Sequence, residues 1–235
     1  GYAGQLGLVQ AMLGHGAEAI ALARPPLASR NVSVRATAVL VLGLAHAPPA
    51  VLRDAQAAIQ QVAAASTTDT LTTAVSVAMA RAGLALAAGR PAAALAAPQP
   101  ARPYELGRMA VMWPVYLRGL AELAANRPAA AAGEFQRVLD HRGVDPFSVA
   151  VALAPLGLAR ASAADPGQAR AYYATFLEQW ASADGVVPVV TAAREEAARL
   201  AAAGDGRAGG ARGTTRGPPR RPARSTGGTS RRPGS

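Results

Sequence analysis

Residues 116–143, YLRGLAELAANRPAAAAGEFQRVLDHRG, decide the fold of this chain. Apolar residues recur in this stretch at helical spacing, most of them are alanine, and an Asn-Arg-Pro sequence divides the stretch into two halves. Ala is the best helix former, and Pro is tolerated at the first position of a helix, so the stretch predicts two helices joined by a tight turn. Gly119 and Ala131 stand twelve residues apart, and Phe135 follows four residues later.

The same spacing recurs along the chain, which indicates an array of repeats. Five pairs in which Gly or Ala is followed twelve residues later by Ala recur at a nearly constant period, with successive units starting 36–39 residues apart. The pairs are Gly7 and Ala19, Gly43 and Ala55, Ala82 and Ala94, Gly119 and Ala131, and Gly157 and Ala169. A turn signal falls inside each pair: Gly14, Pro48–Pro49, Gly89, Asn126–Pro128 and Asp165–Gly167. We therefore predict helix-turn-helix units near 1–31, 33–65, 69–98, 109–141 and 147–181.

The small residues of each pair predict where the two helices of a unit touch, since helices approach closely only where side chains are small. The residue four positions beyond the second small residue is larger in three units, and we expect it to fill the groove toward the next unit. These residues are Ile59, Phe135 and Tyr173. Ala23 and Pro98 hold the same place in the first and third units. We expect those two units to be packed less well.

The composition predicts an all-α fold. The chain is 51% hydrophobic but only 4% aromatic, and no run of residues alternates with the period of a strand. After the fifth unit, 189–203 predicts a helix with a polar face, which is suited to closing an α-solenoid. The segment 204–235, rich in Arg, Gly and Pro, has no large apolar residue, and we predict that it is disordered.

The longest apolar stretch, 36–45, is about half the length that a bilayer requires, so we expect a soluble segment, cytoplasmic or periplasmic. Most of the net charge of +10 lies near the C-terminus, because the tail 204–235 holds eight arginines and one aspartate. The tail could bind nucleic acid or an anionic membrane surface through counterion release. It has no aromatic residue for base stacking, and it could equally be an extension without a function.

The spacing Gly119, Asn126, Ala131 and Phe135 resembles the tetratricopeptide (TPR) signature. Further segments are similar to the C-terminal TPR region of bacterial eukaryotic-like serine/threonine kinases and winged-helix transcriptional regulators: PYELG (103–107), WPVYLRG (113–119), EFQRVLDHRG (134–143) and LGLARA (156–161). Glu122 and Arg118 depart from the Tyr and Leu that the signature has at these places. The resemblance implies a right-handed α-solenoid whose first helices line a concave surface.

That resemblance assigns a candidate partner-binding groove to the first helices of the third and fourth units. The residues at or near its groove-facing positions are Met79, Leu86, Trp113, Tyr116 and Leu120. Aromatic side chains exposed on a concave face would be binding anchors. The alternative is that Trp113 and Tyr116 pack between units.

The chain offers little reactive chemistry. It has no Cys, and it contains neither a Gly-rich phosphate loop nor the HRD and DFG motifs of kinases. His141, with Asp140 and Asp145 nearby, is better explained as a helix end in front of a polar loop than as a general base or metal ligand. We therefore predict no catalytic residue, cofactor, metal or small-molecule substrate.

The predicted function is a non-catalytic protein–protein interaction scaffold with a protein or peptide partner. By resemblance, this scaffold would be the sensory or docking part of a bacterial signalling or transcription-regulating protein. Two alternatives stay open: a C-terminal fragment of a serine/threonine kinase without its catalytic domain, and a nucleic-acid-associated protein that acts through the basic tail.

Overall fold

The computed structural model describes residues 2–183 and 186–211, and within these ranges the chain is all-helical, with no strand. The helices are α1 (Tyr2–Leu13), α2 (Gly16–Ala23), α3 (Val32–Leu44), α4 (Pro49–Ala65), α5 (Ala78–Ala87), α6 (Pro91–Ala96), α7 (Trp113–Ala124), α8 (Pro128–Asp140), α9 (Val149–Ala161), α10 (Pro166–Gln179) and α11 (Pro188–Ala211). Short 3₁₀ turns lie at Pro25–Ala28, Gln99–Tyr104 and Arg142–Val144. A π-helical segment, Thr72–Val77, leads into α5.

The first ten helices form five consecutive hairpins, from α1–α2 to α9–α10. Four of the five turns contain a residue in the left-handed region: Gly14 (φ 91°), His46 (φ 49°), Gly89 (φ 61°) and Asn126 (φ 55°). A residue of this conformation commonly ends a helix, and it is easiest for Gly and Asn. Pro then starts α4, α6, α8 and α10, where its missing N–H leaves no hydrogen bond unmade.

Side chains cap three helical segments, two after connections between hairpins and one, α10, inside a hairpin. The Asn31 side chain accepts from the Val34 N–H at 3.1 Å, and Asp165 accepts from the N–H groups of Gly167 and Gln168 at 3.0 and 3.1 Å. Asp69 accepts from the Thr72 N–H at 3.0 Å and from the Thr72 hydroxyl at 2.6 Å. These caps satisfy N–H groups that the first turn of a helix leaves without partners.

All of the residues that the repeat pattern assigns to packing are buried: Gly7, Ala19, Gly43, Ala55, Ala82, Ala94, Gly119, Ala131, Phe135, Gly157, Ala169 and Tyr173. Not every contact lies inside one hairpin, however. A Cβ added to Gly43 would lie 2.4 Å from the carbonyl carbon of Gly83, which belongs to the next hairpin and follows the predicted Ala82 by one residue. Gly43 therefore also serves a contact between hairpins, because α3 crosses α5 there, and Gly157 likewise lies against Phe135 of the preceding hairpin.

The closing helix α11 is longer than the predicted 189–203, because it continues to Ala211. Helical backbone thus covers 204–211, the first residues of the predicted tail, and the remaining 212–235 lie outside the described residues. Val190 and Ala193 of α11 are buried in the core. α11 also contacts α1. Gly14, which directly follows α1, lies close to the start of α11, because a Cβ on Gly14 would be 2.9 Å from the Cβ of Pro188.

Three polar side chains hold α11 against the fifth hairpin. Arg160 of α9 donates to both carboxylate oxygens of Glu196 at 3.0 and 2.9 Å, and the Tyr173 hydroxyl of α10 donates to Glu196 at 2.7 Å. Burial raises the pKa of the Glu196 carboxyl, but the hydrogen bonds from Arg160 and Tyr173 outweigh it, so the pKa lies below its ordinary value. We call Arg160, Tyr173 and Glu196 the α11 latch.

Across 2–183 and 186–211, no helix combines the length and the apolar character that crossing a membrane requires.

Candidate binding pocket between the third and fourth hairpins

The regular alternation of helices breaks down after α6. This helix has six residues, and the chain then runs through a 3₁₀ turn, Gln99–Tyr104, and a series of turns before α7 begins at Trp113. Pro98, Pro100 and Pro103 explain the break, because they have no N–H to donate and restrict the residue before them. The fourth unit was predicted to start near 109, and its first helix starts four residues later than that boundary.

The backbone is strained where it enters α7. Val111 and Met112 both have positive φ, 36° and 67°, a conformation that a β-branched residue such as Val rarely adopts. Hydrogen bonds hold this bend: the Met112 N–H donates to the Glu105 carbonyl at 2.9 Å, and the Trp113 N–H donates to the Ala110 carbonyl at 2.8 Å. Strained residues persist only where the surrounding structure enforces them, and they are common at binding sites.

A second irregular segment packs against this bend. The π-helical turn Thr72–Val77 carries Val75, which forms a small buried cluster with Ala101 and Ala110. Met79 and Tyr104 pack against the cluster. A π-helical segment departs from regular helix geometry and is frequent at functional sites. Two independent departures from regular helix geometry therefore meet at the junction of the third and fourth hairpins.

A cavity of about 390 Å³ opens at this junction. We call it the junction pocket; its lining residues are Leu71, the continuous segment 102–109, and Arg137. Leu71, Leu106 and Met109 are 42%, 48% and 43% exposed, which is a large fraction for apolar side chains. The volume falls in the range of pockets that bind ligands, and exposed apolar groups that converge on a cavity mark an interaction site.

A network of four charged residues supports the pocket. Buried Arg118 of α7 binds buried Glu105 and also donates to both carboxylate oxygens of Glu134 at 2.9 Å. Arg137 of α8 completes the network, with its Nη2 3.0 Å from Oε2 of Glu105. Burial lowers the pKa of the Arg118 guanidinium, but the hydrogen bonds to Glu134 and Glu105 raise it by more, so the arginine stays charged. The network fixes Glu105 in the wall of the pocket.

One oxygen of Glu105 has hydrogen-bonding capacity left. The Glu105 side chain is 1% exposed, and its Oε2 accepts no hydrogen bond, because the neighbouring Arg137 is close enough for an ion pair but not aligned for a hydrogen bond. A buried carboxylate oxygen without a donor is unfavourable. Oε2 is itself enclosed, so its ion pair with Arg137 is what offsets the burial of this oxygen.

The exposed rim of the pocket is basic. Arg102 and Arg108 are exposed, and neither takes part in an ion pair among the described residues. Arg102 makes one hydrogen bond to a neutral group, which it donates to the Gln99 side chain at 2.7 Å. The carboxylates of Glu105 and Glu134 are matched by Arg118 and Arg137 in the network. The unmatched positive charge of Arg102 and Arg108 favours anionic groups on a ligand.

The predicted groove residues do not line this pocket. Trp113 and Tyr116 are 8% and 4% exposed, so the prediction of exposed aromatic anchors is wrong for these two residues in this structure. Their rings meet edge to face at 5.9 Å, and Tyr116 meets Phe135 at 5.5 Å, so both belong to the packing between helices. Burial also raises the pKa of the Tyr116 phenol, with Arg160 acting in the opposite direction.

The other three predicted groove residues, Met79, Leu86 and Leu120, are half-buried and pack against the same core cluster that contains Trp113 and Tyr116. Leu71, Leu106 and Met109 are not among the residues predicted from the sequence. For two of them a signal is present in ELGRM (105–109), where Leu106 and Met109 are apolar residues within an otherwise polar or Gly-containing stretch directly after the Pro-rich break.

His141, Asp140 and Asp145 do not form a metal-binding group, and the described part of the chain contains no other cluster of His, Asp and Glu suited to a metal. The His141 ring nitrogen Nδ1 lies 3.0 Å from the Arg137 carbonyl oxygen, at the end of α8. No protein-family model, curated protein or solved structure matches this chain.

Proposed function

We propose that this chain is a non-catalytic interaction scaffold, a TPR-like α-solenoid that binds a peptide segment of a partner protein. The observation that carries the proposal is the junction pocket. Most large apolar side chains of the described residues are buried or half-buried, yet Leu71, Leu106 and Met109 are exposed together around a cavity. Isolated apolar residues on a surface need no explanation, whereas a cluster at a cavity marks an interaction site.

The stack of hairpins supports this function physically. The small residues are buried within and between the hairpins, which gives a closely packed array without reactive groups. A site whose lining is already in place binds at a lower entropic cost. By the resemblance noted in the sequence, the scaffold serves as the docking part of a bacterial signalling or transcription-regulating protein. The alternative that assigns nucleic-acid binding to the tail stays a prediction.

A random peptide library displayed on phage tests the proposal. The library is selected against the full chain, and the enriched peptides are then assayed against the double variant Leu106→Asp/Met109→Asp. A charge at these exposed positions should abolish peptide binding and leave the helical content and thermal unfolding unchanged. Phe147→Asp is the matched control, because Phe147 is 97% exposed and lies outside the pocket.

Enriched peptides that bind the wild type and Phe147→Asp but not the double variant would support the scaffold. Failure of the library to yield any peptide would count against the proposal, and so would peptides that bind the double variant as well as the wild type.

A further inference from the structure

A second cavity adjoins the junction pocket. It has a volume of about 300 Å³, and we call it the threonine pocket; its lining includes Thr67, Thr70, Thr73, Arg81, Ala97 and Pro100. The same two segments of chain line both cavities. On one side, Thr70 lines the threonine pocket and the next residue, Leu71, lines the junction pocket. On the other side, Pro100 lines the threonine pocket, and the junction pocket begins at Arg102. A ligand that occupies both cavities is therefore an extended segment rather than one side chain.

The two cavities share an excess of positive charge. Arg81 lines the threonine pocket, Arg102 and Arg108 line the junction pocket, and all three are exposed. None of the three forms an ion pair among the described residues. Among the described residues that line either cavity, one is acidic, and this residue, Glu105, is enclosed and matched by the arginines of its network. We call the two cavities together the basic groove.

The acidic residue next to the groove in sequence does not neutralise this charge. Asp69 directly precedes Thr70 but lines neither cavity. Its carboxylate accepts from the Thr72 N–H at 3.0 Å and from the Thr72 hydroxyl at 2.6 Å, so it is engaged at the start of its own helical segment. The three arginines therefore favour carboxylates that a partner supplies.

The apolar side chains of the groove favour a peptide over a nucleic acid. Leu71, Leu106 and Met109 stand exposed at the junction pocket, and an aliphatic side chain of a peptide would bury them. Sites for single-stranded nucleic acid stack bases on aromatic rings. In the linings of the two cavities, the one aromatic residue is Tyr104, which is half-buried.

The chain's own C-terminal segment does not match the groove. Residues 212–235 contain seven arginines, no acidic residue and no large apolar residue. The segment would be repelled by the three arginines of the groove, and it has no side chain that would bury the apolar lining of the junction pocket.

We propose that the basic groove binds an extended acidic peptide segment of a partner protein, anchored by an aliphatic side chain such as Leu or Met. The aliphatic side chain lies in the junction pocket against the exposed apolar residues. Carboxylates of the segment face Arg102 and Arg108 there, and Arg81 at the threonine pocket. This inference rests on the proposed scaffold function and gives its partner a chemistry.

Fluorescence anisotropy with synthetic peptides and the full chain tests the chemistry of the ligand. The parent peptide has one Leu flanked on both sides by Glu; one variant has Gly in place of the Leu, and another has Gln in place of every Glu. The Gly variant should bind about tenfold more weakly, because nothing covers the apolar lining. The Gln variant should also bind about tenfold more weakly at low salt, and the difference should shrink at high salt.

The arginines of the groove are tested with Arg81→Gln/Arg102→Gln/Arg108→Gln. This triple variant should weaken binding of the parent peptide about tenfold at low salt and change binding of the Gln peptide little. Arg81→Gln alone should weaken binding of the parent peptide about two- to threefold, although Arg81 lies outside the junction pocket. That result would place the threonine pocket in the site.

The matched control is the triple variant Arg24→Gln/Arg30→Gln/Arg170→Gln. These three arginines are also exposed and form no ion pair among the described residues, but they line neither cavity. Both triple variants have the same net charge and keep 212–235. Non-specific attraction of acidic peptides to that segment therefore affects both equally.

Equal affinity of the Leu and Gly peptides would overturn the inference, as would equal weakening by the two triple variants or an unchanged affinity of Arg81→Gln. A short oligothymidylate that displaces the parent peptide from the wild type and binds the control variant better than the groove variant would make a nucleic acid the occupant. A self-association of the chain that Met109→Asp abolishes, measured by sedimentation, would make a second copy the occupant. Either result would also overturn the inference.

The scaffold function would survive these results if the phage selection still yields peptides that need Leu106 and Met109. It is rejected only if that selection yields no such peptide.

Discussion

The second and third hairpins meet in a different way from the fourth and fifth. Between α3 and α5, Gly43 lies so close to the backbone of Gly83 that nothing larger than hydrogen fits. Between α7 and α9, the ring of Phe135 lies against both Gly119 and Gly157, where a Cβ on either glycine would come within 2.7 Å of the ring. We call each contact surface between neighbouring hairpins a seam. In the N-terminal seam glycine leaves room for the neighbouring backbone, and in the C-terminal seam it leaves room for an aromatic ring.

This difference teaches that the same small-residue position serves two kinds of packing. The N-terminal seam gains close contact between main chains and tolerates no added atom. The C-terminal seam buries a large apolar ring, which contributes more transfer free energy for each residue. The two seams should therefore fail in opposite ways, the first when an atom is added and the second when atoms are removed.

The largest effect is expected from removing the ring. Phe135 is fully buried, so Phe135→Ala should lower the free energy of unfolding by about 3–5 kcal/mol through lost burial and a cavity between α7 and α9. Chemical denaturation monitored by circular dichroism measures the change. Phe147→Ala is the control, and with its side chain 97% exposed it should change stability by less than about 0.5 kcal/mol. Similar losses for both would show that the ring does not hold this seam.

Adding one atom to the other seam should have the next largest effect. Gly43→Ala places a Cβ 2.4 Å from the Gly83 carbonyl carbon, and because the obstacle is backbone, the helices must separate. We expect a loss of about 1–3 kcal/mol in the same unfolding measurement.

Gly133→Ala is the control for this substitution. Gly133 lies in α8 with no atom near its missing Cβ, so the change should stabilise the protein by up to about 1 kcal/mol through helix propensity. If both substitutions change the free energy of unfolding in the same direction, the close approach of α3 and α5 is contradicted.

The smallest effect on stability is expected from weakening the α11 latch, which lies between the fifth hairpin and α11. The pKa of Glu196 is lowered in the folded state, so its contribution to stability is present above its ordinary value of 4.5 and is lost as the pH falls through the folded pKa. Glu196→Gln should therefore destabilise the protein at neutral pH by about 1 kcal/mol, because solvent screens this partly exposed group.

Thermal unfolding of the wild type and of Glu196→Gln across the acid range measures this effect. The difference between the two melting temperatures should shrink as the pH drops well below 4.5. Tyr173→Phe removes one hydrogen bond to Glu196 while keeping the ring, and it should give a smaller acid-dependent difference. A difference that is constant with pH would show that the carboxylate charge contributes nothing to the latch.

Much of the helical pattern could be predicted because its signals are local. The positive-φ residue of a turn and the Pro that starts the next helix act within a few residues of each other, as at Asn126 and Pro128. The burial of Gly119, Ala131 and Phe135 follows from their spacing on helices. Tyr116 was harder to place, since a Tyr on a first helix can face a groove or a neighbouring helix.

The candidate site could not be predicted from such signals. The junction pocket joins Leu71, the segment 102–109 and Arg137, which are far apart in sequence, and the strained bend at Val111 and Met112 directly follows its lining segment. Its charge network likewise connects Glu105 with Arg118 and Glu134 across two helices. In sequence, the same residues resemble a proline-rich connection between repeats.

The sequence by itself determined that this chain is helical, where its hairpins turn, and which small residues are buried, because propensity, turn chemistry and spacing act over short distances. Only the tertiary structure decided which helix each small residue meets and where apolar side chains stay exposed. Gly43 meets Gly83, and Leu106 stays at the surface, because these outcomes depend on how whole helices cross and on how the chain bends between them.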